Sequence, residues 1–362
     1  MPPRPFLHSP GFDLGWFVLP GLLAAIVGLA LGVLDPQPPA HDSLLLWIAG
    51  VLLVDVAHVY ASLYRSYLDP IARQRHRTRL IAAPLLCAWL GFLLHLESPL
   101  LFWGALAYLA IFHVIKQHLG FALLYARAGD ESPADRRLIS LALWTCTLGP
   151  VLWWHANLPT SFAWFMPGDL LTGLPPIVGT LALWAQLPVL LGFIARRTVL
   201  ARRGRANPMV PLLVLVPAAC WHIGIVRFDD DRIFTITNVF LHGVPYMALV
   251  WLAGGRDRLA ARLPRSGPLA LLAGFYGLVL ALAVGEEALW DRLVWHDHPQ
   301  LFGTSGGELH PLLASLVVAL LAVPQATHYL LDRWIWRVGP DNPALAAQLG
   351  LTRDRDSGAG ST

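Results

Sequence analysis

Long apolar runs separated by short polar segments recur along the whole chain. A run of about 17 to 25 apolar residues is long enough to cross a bilayer as a helix, and ten such runs are present. They cover roughly residues 15–34, 44–64, 80–96, 100–126, 138–157, 171–195, 209–226, 233–254, 267–289 and 310–336. The pattern predicts an all-α, polytopic membrane bundle of about ten transmembrane helices, built as a single membrane domain (1–362) with a polar tail at 338–362.

The arginines lie mainly on one side of these predicted spans. The chain has 26 lysines and arginines, and Lys116 is its single lysine, which leaves 25 arginines. If the N-terminus is inside, 21 of the 25 fall in inner segments, three in outer loops and one in the last span. Short cytoplasmic loops collect positive charge. We therefore expect both termini in the cytoplasm and the protein in a bacterial cytoplasmic (inner) membrane.

Composition agrees with this class of protein. Hydrophobic residues make up 56% of the chain and charged residues 14%, whereas about a quarter of a soluble protein is charged. The three cysteines lie singly in apolar runs, without a CxxC pair, so neither disulfides nor a thiolate metal site is predicted. The expected partners are membrane lipid and lipophilic molecules, and no nucleic acid.

Apart from histidines near the outer ends of the helices, five histidines lie inside the predicted spans, all on even-numbered ones: His58, His113, His118, His242 and His328. Ionisable groups within a bilayer are costly and usually mark a functional site. Counting at about 1.5 Å per residue from the arginine that ends each helix gives depths of about 10 Å for His58, 13 Å for His118 and His328, and 21 Å for His113 and His242. Four helices can therefore bring imidazoles to one site in the cytoplasmic half of the bilayer. His118 lies about 140° around the helix from His113, so it is either a ligand at the rim or a packing residue.

Two carboxylates accompany these histidines at helical spacing. Asp55 lies three residues before His58 and Asp332 four residues after His328, so each pair shares a helix face. A metal-bound imidazole usually needs a carboxylate or carbonyl on its other nitrogen. We predict that Asp55 and Asp332 are metal ligands or support the histidine ligands.

Further polar residues flank the intramembrane histidines. A lysine within a span can change its pKa and act as a base, although a snorkelling side chain or a salt bridge is the structural alternative for Lys116. Tyr246 follows His242 by four residues. We predict catalytic roles for Lys116 and Tyr246, and supporting roles behind the ligands for Asn238 and Gln117.

The ligand chemistry of this set is that of a transition metal. Imidazole with carboxylate, and without thiolate, suits iron, copper, manganese or zinc; we expect non-haem iron, as one or two ions. A b-type haem with His113 and His242 as its axial ligands is the alternative. The HxxxH and HxxHH boxes of membrane fatty-acid desaturases are absent, as are Walker A and HExxH motifs.

The dispersed set resembles that of the bacterial membrane oxygenases that cleave β-carotene. Those polytopic helical proteins hold a non-haem iron with histidines from several spans, with acidic residues nearby. The likeness rests on Asp55–His58, His113, His242 and His328–Asp332. It implies an iron-dependent oxygenase that uses O₂ and an electron donor on a lipophilic substrate from the bilayer.

The sequence therefore predicts an integral-membrane, metal-dependent oxidoreductase. A proton- or ion-coupled transporter, with the His/Asp set as a relay, is the first alternative. A b-type haem membrane protein is the second.

Overall fold

The computed structural model describes residues 5–36, 43–129, 131–304, 309–340 and 342–351. Ten helices are long and apolar enough to cross a membrane. They are α1 (Pro10–Leu34), α2 (Leu44–Arg65), α3 (Arg77–Glu97), α4 (Pro99–Ala128), α5 (Pro133–Ala156), α6 (Pro176–Arg202), α7 (Met209–Arg227), α8 (Asp231–Arg262), α9 (Pro268–Trp295) and α10 (Pro311–Ile335). The described residues form no β-strand.

This architecture confirms the predicted all-α bundle with ten membrane-length helices, and it is compatible with a multi-pass membrane protein. Three short helices, Pro70–Arg75, Pro299–Phe302 and Pro343–Gln348, lie between or after the long ones. Of the predicted tail 338–362, residue 341 and residues 352–362 lie outside the described residues.

Proline and a capping serine set the start of several helices. α4 begins at Pro99, where the Ser98 hydroxyl accepts a hydrogen bond from the backbone N–H of Leu101. Serine at this position satisfies a backbone donor that has no partner within the helix. Proline fits the first helical position because its missing N–H would be unpaired there in any case. These capping signals are local, so helix starts of this kind follow directly from the sequence.

The start of α6 differs from the predicted span at 171–195. Its helix begins at Pro176, because Gly173 has a positive φ of 93° and Pro175 precedes another proline. A residue before proline is disfavoured in the α conformation. The apolar residues at 170–171 therefore lie in a connecting segment, and the helix extends further at its other end, to Arg202.

Buried polar contacts hold the ends of several helices together. The guanidinium of Arg65, at the end of α2, donates to the carbonyl oxygens of Ala253 (2.9 Å) and Ile335 (3.2 Å) and to Oε1 of Gln348 (2.9 Å). Its contacts bring together the last turns of α2 and α10, the end of α8 and the short helix Pro343–Gln348. We call this the arginine-rich end of the bundle. Leu7 packs in the same apolar cluster as Leu345 and Leu349 from the C-terminal segment.

Candidate metal centre

The structure brings four of the five intramembrane histidines into mutual contact. His58 comes from α2, His113 from α4, His242 from α8 and His328 from α10, and each is at most 5% exposed. The ring centroids of His58 and His242 are 4.7 Å apart, and those of His58 and His328 are 5.1 Å apart. The rings of His113 and His328 are also 4.7 Å apart. Four helices thus present one continuous row of imidazoles.

Two overlapping groups within this row have the spacing of metal ligands. One is His58, His113 and His328; the other is Asp55, His58 and His242; within each group the possible ligand atoms lie within 4.8 Å of one another. In zinc sites the metal–nitrogen distance is about 2.0–2.1 Å, so two nitrogens on one ion are at most about 4.2 Å apart. Small rotations of the rings would close the remaining gap.

Several imidazole nitrogens in this centre lack hydrogen-bond partners. Both ring nitrogens of His58 and of His328 are buried without a partner among the described residues, and so is Nε2 of His113. Buried polar groups in folded proteins are nearly always hydrogen-bonded, because an unpaired one loses its water without compensation. A cation bound among these nitrogens would satisfy them, so the residues present fit a transition metal.

Asp55 faces the second ring nitrogen of His242. Nδ1 of His242 lies 2.8 Å from the backbone oxygen of Asn238, which can only accept, so Nδ1 carries a proton. In a neutral ring Nε2 of His242 would therefore point a lone pair at Oδ1 of Asp55, 3.3 Å away. The same carboxylate oxygen is 3.6 Å from Nδ1 of His58. Two acceptors facing one another repel, and a metal ion or a proton between them removes the conflict.

Asp332 occupies the other side of the row. Its Oδ1 accepts hydrogen bonds from the Tyr246 hydroxyl (2.7 Å) and from the indole N–H of Trp336 (3.2 Å). Oδ1 is also 3.8 Å from Nδ1 of His328, and Oδ2 is 3.9 Å from Nε2 of His113. The tyrosine and the tryptophan thus orient a carboxylate that faces two histidines.

Irregular backbone and one glycine let α2 and α8 approach closely beside His58. Residues Trp47–Val56 of α2 form a π-helical segment that contains Asp55, and π-helical turns often occur at functional sites. A Cβ on Gly243 would lie 2.6 Å from Cγ1 of Val54 and 3.6 Å from Nδ1 of His58. Glycine at 243 is therefore required for the contact between the two helices.

Two further irregularities account for part of the difference of about 10 Å between the depths counted for His58 and His242, whose rings are in contact. α2 ends in a 3₁₀ turn, Ser62–Arg65, which rises more per residue than an α-helix and sets His58 further from that end. α8 breaks at Gly254, whose φ is 92°, before the Arg256 used as its reference. His242 is therefore nearer the arginine-rich end than the count of residues indicates.

The other predicted site residues lie around the centre rather than within it. His118 is buried and belongs to neither ligand group of the described residues. Gln117 donates a hydrogen bond from Nε2 to the backbone oxygen of His242 (2.9 Å). Asn238 contacts His242 through its backbone oxygen, whereas its side-chain oxygen has no described partner. Lys116 is exposed on α4 and makes no ion pair with another described residue.

Sequence reasoning missed polar residues that approach this centre. The ring of Tyr329 lies 4.5 Å from that of His113. On α9, Glu286 accepts a hydrogen bond from the Tyr60 hydroxyl (2.5 Å) and is followed directly by Glu287. Two adjacent acids in an apolar run were a usable signal, because charges within a span are rare. The tyrosines gave no such signal, since aromatic residues are common in membrane helices.

A cavity of about 1310 Å³ adjoins the centre. Its walls come mainly from α4, α5 and α10, and His113, Tyr246 and Asp332 line it at the centre. Apolar side chains cover much of the wall, and basic side chains line it as well. The cavity gives a molecule the size of a lipid chain access to the side of the row that carries His113.

Comparison with known proteins gives no significant match: no protein family matches the chain, nor does a curated protein or a solved structure. The resemblance to membrane oxygenases that cleave β-carotene therefore stays a prediction, based on the arrangement of histidines and aspartates.

Proposed function

We propose that this protein is an integral-membrane, metal-dependent oxidoreductase that acts on a lipophilic substrate with non-haem iron. The observation that carries the proposal is the row of buried histidines whose nitrogens lack partners. Purely structural histidines on four helices would be expected to hydrogen-bond with one another or with the backbone. An iron ion held by histidine and carboxylate, with open positions, would supply activation of O₂.

The roles we propose follow from the contacts. His58, His113, His242 and His328 hold the metal, with Asp55 beside His58 and His242. Asp332, oriented by Tyr246 and Trp336, faces His113 and His328 and fixes their ring orientation. The Tyr246 hydroxyl is the proton donor nearest to this carboxylate, at 2.7 Å. The adjoining cavity admits the substrate, and its apolar wall excludes water.

The contacts between rings favour non-haem iron over a b-type haem. His113 and His242 were the predicted axial ligands, but His58 and His328 link them through ring contacts of 4.7 to 5.1 Å. A porphyrin between His113 and His242 would need the space that these two rings fill. The same four histidines instead offer several nitrogens to one small ion or to two.

Elemental analysis and an optical spectrum of the detergent-purified protein test the proposal. We expect iron at one or two ions per chain, no Soret band, and loss of the iron in His328→Ala. A Soret band would show haem instead. Folded, active protein that contains no transition metal would overturn the proposal.

Two glutamates favour a second candidate function, a proton-coupled transporter. Glu286 and Glu287 on α9 add intramembrane acids beyond the even-numbered helices, and Glu286 is hydrogen-bonded to Tyr60 of α2. A relay that crosses the membrane needs such groups on both sides of the centre. Uptake into proteoliposomes that depends on a pH gradient, and is lost in Glu286→Gln, would favour transport over oxidation.

We also propose that the arginine-rich end faces the cytoplasm of a bacterium. The support is the excess of arginine in the segments at that end, which is typical of cytoplasmic loops. Labelling of cysteines introduced at Arg202 or Arg262 in intact and in permeabilised cells tests this orientation. Labelling of these cysteines in intact cells would contradict the cytoplasmic orientation of the arginine-rich end.

A further inference from the structure

The cavity beside the histidine centre has an unusual balance of charge. Its lining includes six cationic side chains: Lys116, Arg127, Arg136, Arg137, Arg333 and Arg337. The lining has a single carboxylate, Asp332, which is engaged by Tyr246 and Trp336. A net positive cavity wall within a membrane bundle attracts an anion.

Five of these six cations are exposed and Arg136 is half-buried, and the described part of the chain supplies no counterion to any of them. None of them forms an ion pair or a side-chain hydrogen bond with another described residue. Nε of Arg136 is buried and has no described partner. A buried guanidinium N–H without an acceptor is costly, and an anionic group in the cavity would supply that acceptor.

Other arginines at the same end of the bundle are paired. Arg197 makes two hydrogen bonds of 2.6 Å to the carboxylate of Glu131, and Arg258 pairs with Asp69. The terminal nitrogens of Arg65 donate to two backbone carbonyls and to Gln348, and its Nε has no described partner. The cavity arginines have no such carboxylate among the described residues.

The rest of the cavity wall is apolar and leads toward the histidines. On α4, Leu119, Leu123 and Leu124 line it between Lys116 and Arg127. His113 and Arg127 are fourteen residues apart on this helix, a distance of about 21 Å. A ligand that contacts both ends therefore needs a charged head and an apolar chain of roughly that length.

We propose that the cavity binds a single-chain amphiphile with an anionic head group, carboxylate or phosphate. The arginines hold the head, and the chain extends along the apolar wall toward His113. A neutral hydrocarbon would offer no acceptor to Nε of Arg136 and no opposite charge to the arginines at this end of the cavity. The assignment of this amphiphile as substrate rests on the proposed oxidoreductase function, whereas its binding does not.

Binding is measured in nanodiscs of phosphatidylcholine with three labelled probes of equal chain length. These are hexadecanoate, hexadecyl phosphate and the uncharged hexadecanol. We expect one saturable site per chain that binds at least one of the anions about tenfold or more tightly than the alcohol. Binding should weaken as salt is added. The two anions distinguish a carboxylate site from a phosphate site. Equal binding of the alcohol would overturn the proposal.

Two double variants of equal charge provide the matched comparison. Arg136→Gln with Arg137→Gln removes two cations from the cavity, and the affinity for the preferred anion should fall about tenfold. Arg202→Gln with Arg203→Gln removes two exposed cations outside it, and the affinity should not change. An equal loss of affinity in the two double variants would show that the anion is attracted to any basic surface, and it would overturn the proposal.

Bilayer phospholipid is the competing occupant. Phosphatidylglycerol, which carries two chains, should displace the bound anion only weakly. If it competes as well as the single-chain probe, the cavity is a site for bilayer lipid and the proposal is wrong.

One variant separates anion binding in the cavity from metal binding at the histidine centre. His242→Ala changes a ligand that does not line the cavity. We expect this variant to lose metal while it keeps its affinity for the anion. A wild-type protein without iron that still binds the anion would overturn the oxidoreductase and leave the amphiphile site standing.

Discussion

Two buried polar clusters in this bundle satisfy their charges in opposite ways. Arg197 and Glu131 are 6% and 2% exposed and share two hydrogen bonds of 2.6 Å, and Arg197 donates further to the backbone oxygen of Asn207. The histidine centre is as deeply buried, yet both nitrogens of His58 and of His328 have no described partner. In the first cluster the two terminal nitrogens of Arg197 have acceptors within the chain and only its Nε has no described partner, whereas in the second whole imidazole rings lack a hydrogen-bond partner.

We expect this difference to separate polar groups that stabilise the fold from polar groups that bind a ligand. A paired guanidinium and carboxylate fix how the segment before α5 meets α6 at the arginine-rich end, and their removal should affect folding. Unpaired imidazoles contribute little to folding until a cation binds, so their removal should affect binding first. Substitutions in the two clusters should therefore differ in whether they lower stability or metal binding.

The largest expected effect is on stability, from Glu131→Ala. Removal of one partner of a buried ion pair leaves an uncompensated charge and costs about 3–5 kcal/mol. Thermal unfolding in detergent measures the loss, while metal bound per folded chain should stay unchanged. Asp35→Ala is the control, because Asp35 is 58% exposed and its partner Arg232 also binds Asp230; an exposed pair is worth at most about 1 kcal/mol. Equal losses of stability in Glu131→Ala and Asp35→Ala would show that the buried ion pair does not stabilise the fold more than the exposed one.

The second-largest expected effect is a loss of metal binding in His58→Gln. His58 belongs to both ligand groups, so its loss should weaken metal binding about 100-fold or more. The metal-free protein should be destabilised less than by Glu131→Ala. His222→Gln is the control, since Nδ1 of His222 already lies 2.8 Å from the Ala218 carbonyl oxygen outside the centre. Unchanged metal affinity in His58→Gln would remove His58 from the site.

A steric change should separate packing from ligation. In Gly243→Ala the new methyl group would meet Val54 at 2.6 Å and push α2 away from α8. Overpacking of this kind costs about 1–3 kcal/mol, and it should also weaken metal binding because His58 and His242 move apart. Gly277→Ala is the control, because a Cβ there has nothing within 4 Å. If both variants keep full metal affinity, the contact at Gly243 does not position the ligands.

The smallest expected effect comes from one hydroxyl group. Tyr246→Phe removes the 2.7 Å hydrogen bond to Asp332, and loss of a support behind a ligand typically costs about tenfold in metal affinity or activity. Tyr276→Phe removes a comparable bond, of 2.6 Å to the backbone oxygen of Leu53, and should leave metal affinity unchanged. Equal effects of Tyr246→Phe and Tyr276→Phe on metal affinity would mean that the hydrogen bond from Tyr246 does not orient Asp332 for metal binding.

Much of the fold could be predicted because its signals are local. Apolar runs give ten helices, and the serine and proline before α4 mark its start. The beginning of α6 was misplaced because the apolar segment from Leu171 onward resembles a helix, while Gly173 and Pro175 prevent it. The position of a helix end depends on these few residues rather than on how apolar the surrounding segment is.

The histidine centre was predictable only in part. Ionisable residues on four predicted spans identified the members of the row, since such residues are rare in a bilayer. Depth counts could not give the contacts, because they assume straight helices that end at one level, whereas α2 ends in a 3₁₀ turn and α8 breaks at Gly254. Tyr329, and the unpaired cations of the cavity, depend on how helices distant in sequence pack together.

X-ray absorption spectroscopy at the iron edge is the most direct test of the metal centre, because it reports the atoms bound to the metal. We expect stoichiometric iron in the purified protein, with nitrogen and oxygen ligands, scattering from at least three imidazoles and no sulfur. In His58→Gln the iron should be largely lost, whereas His222→Gln should give the wild-type spectrum. Protein that folds and functions without a bound transition metal, or iron without imidazole scattering, would show that the histidine row is not an iron site.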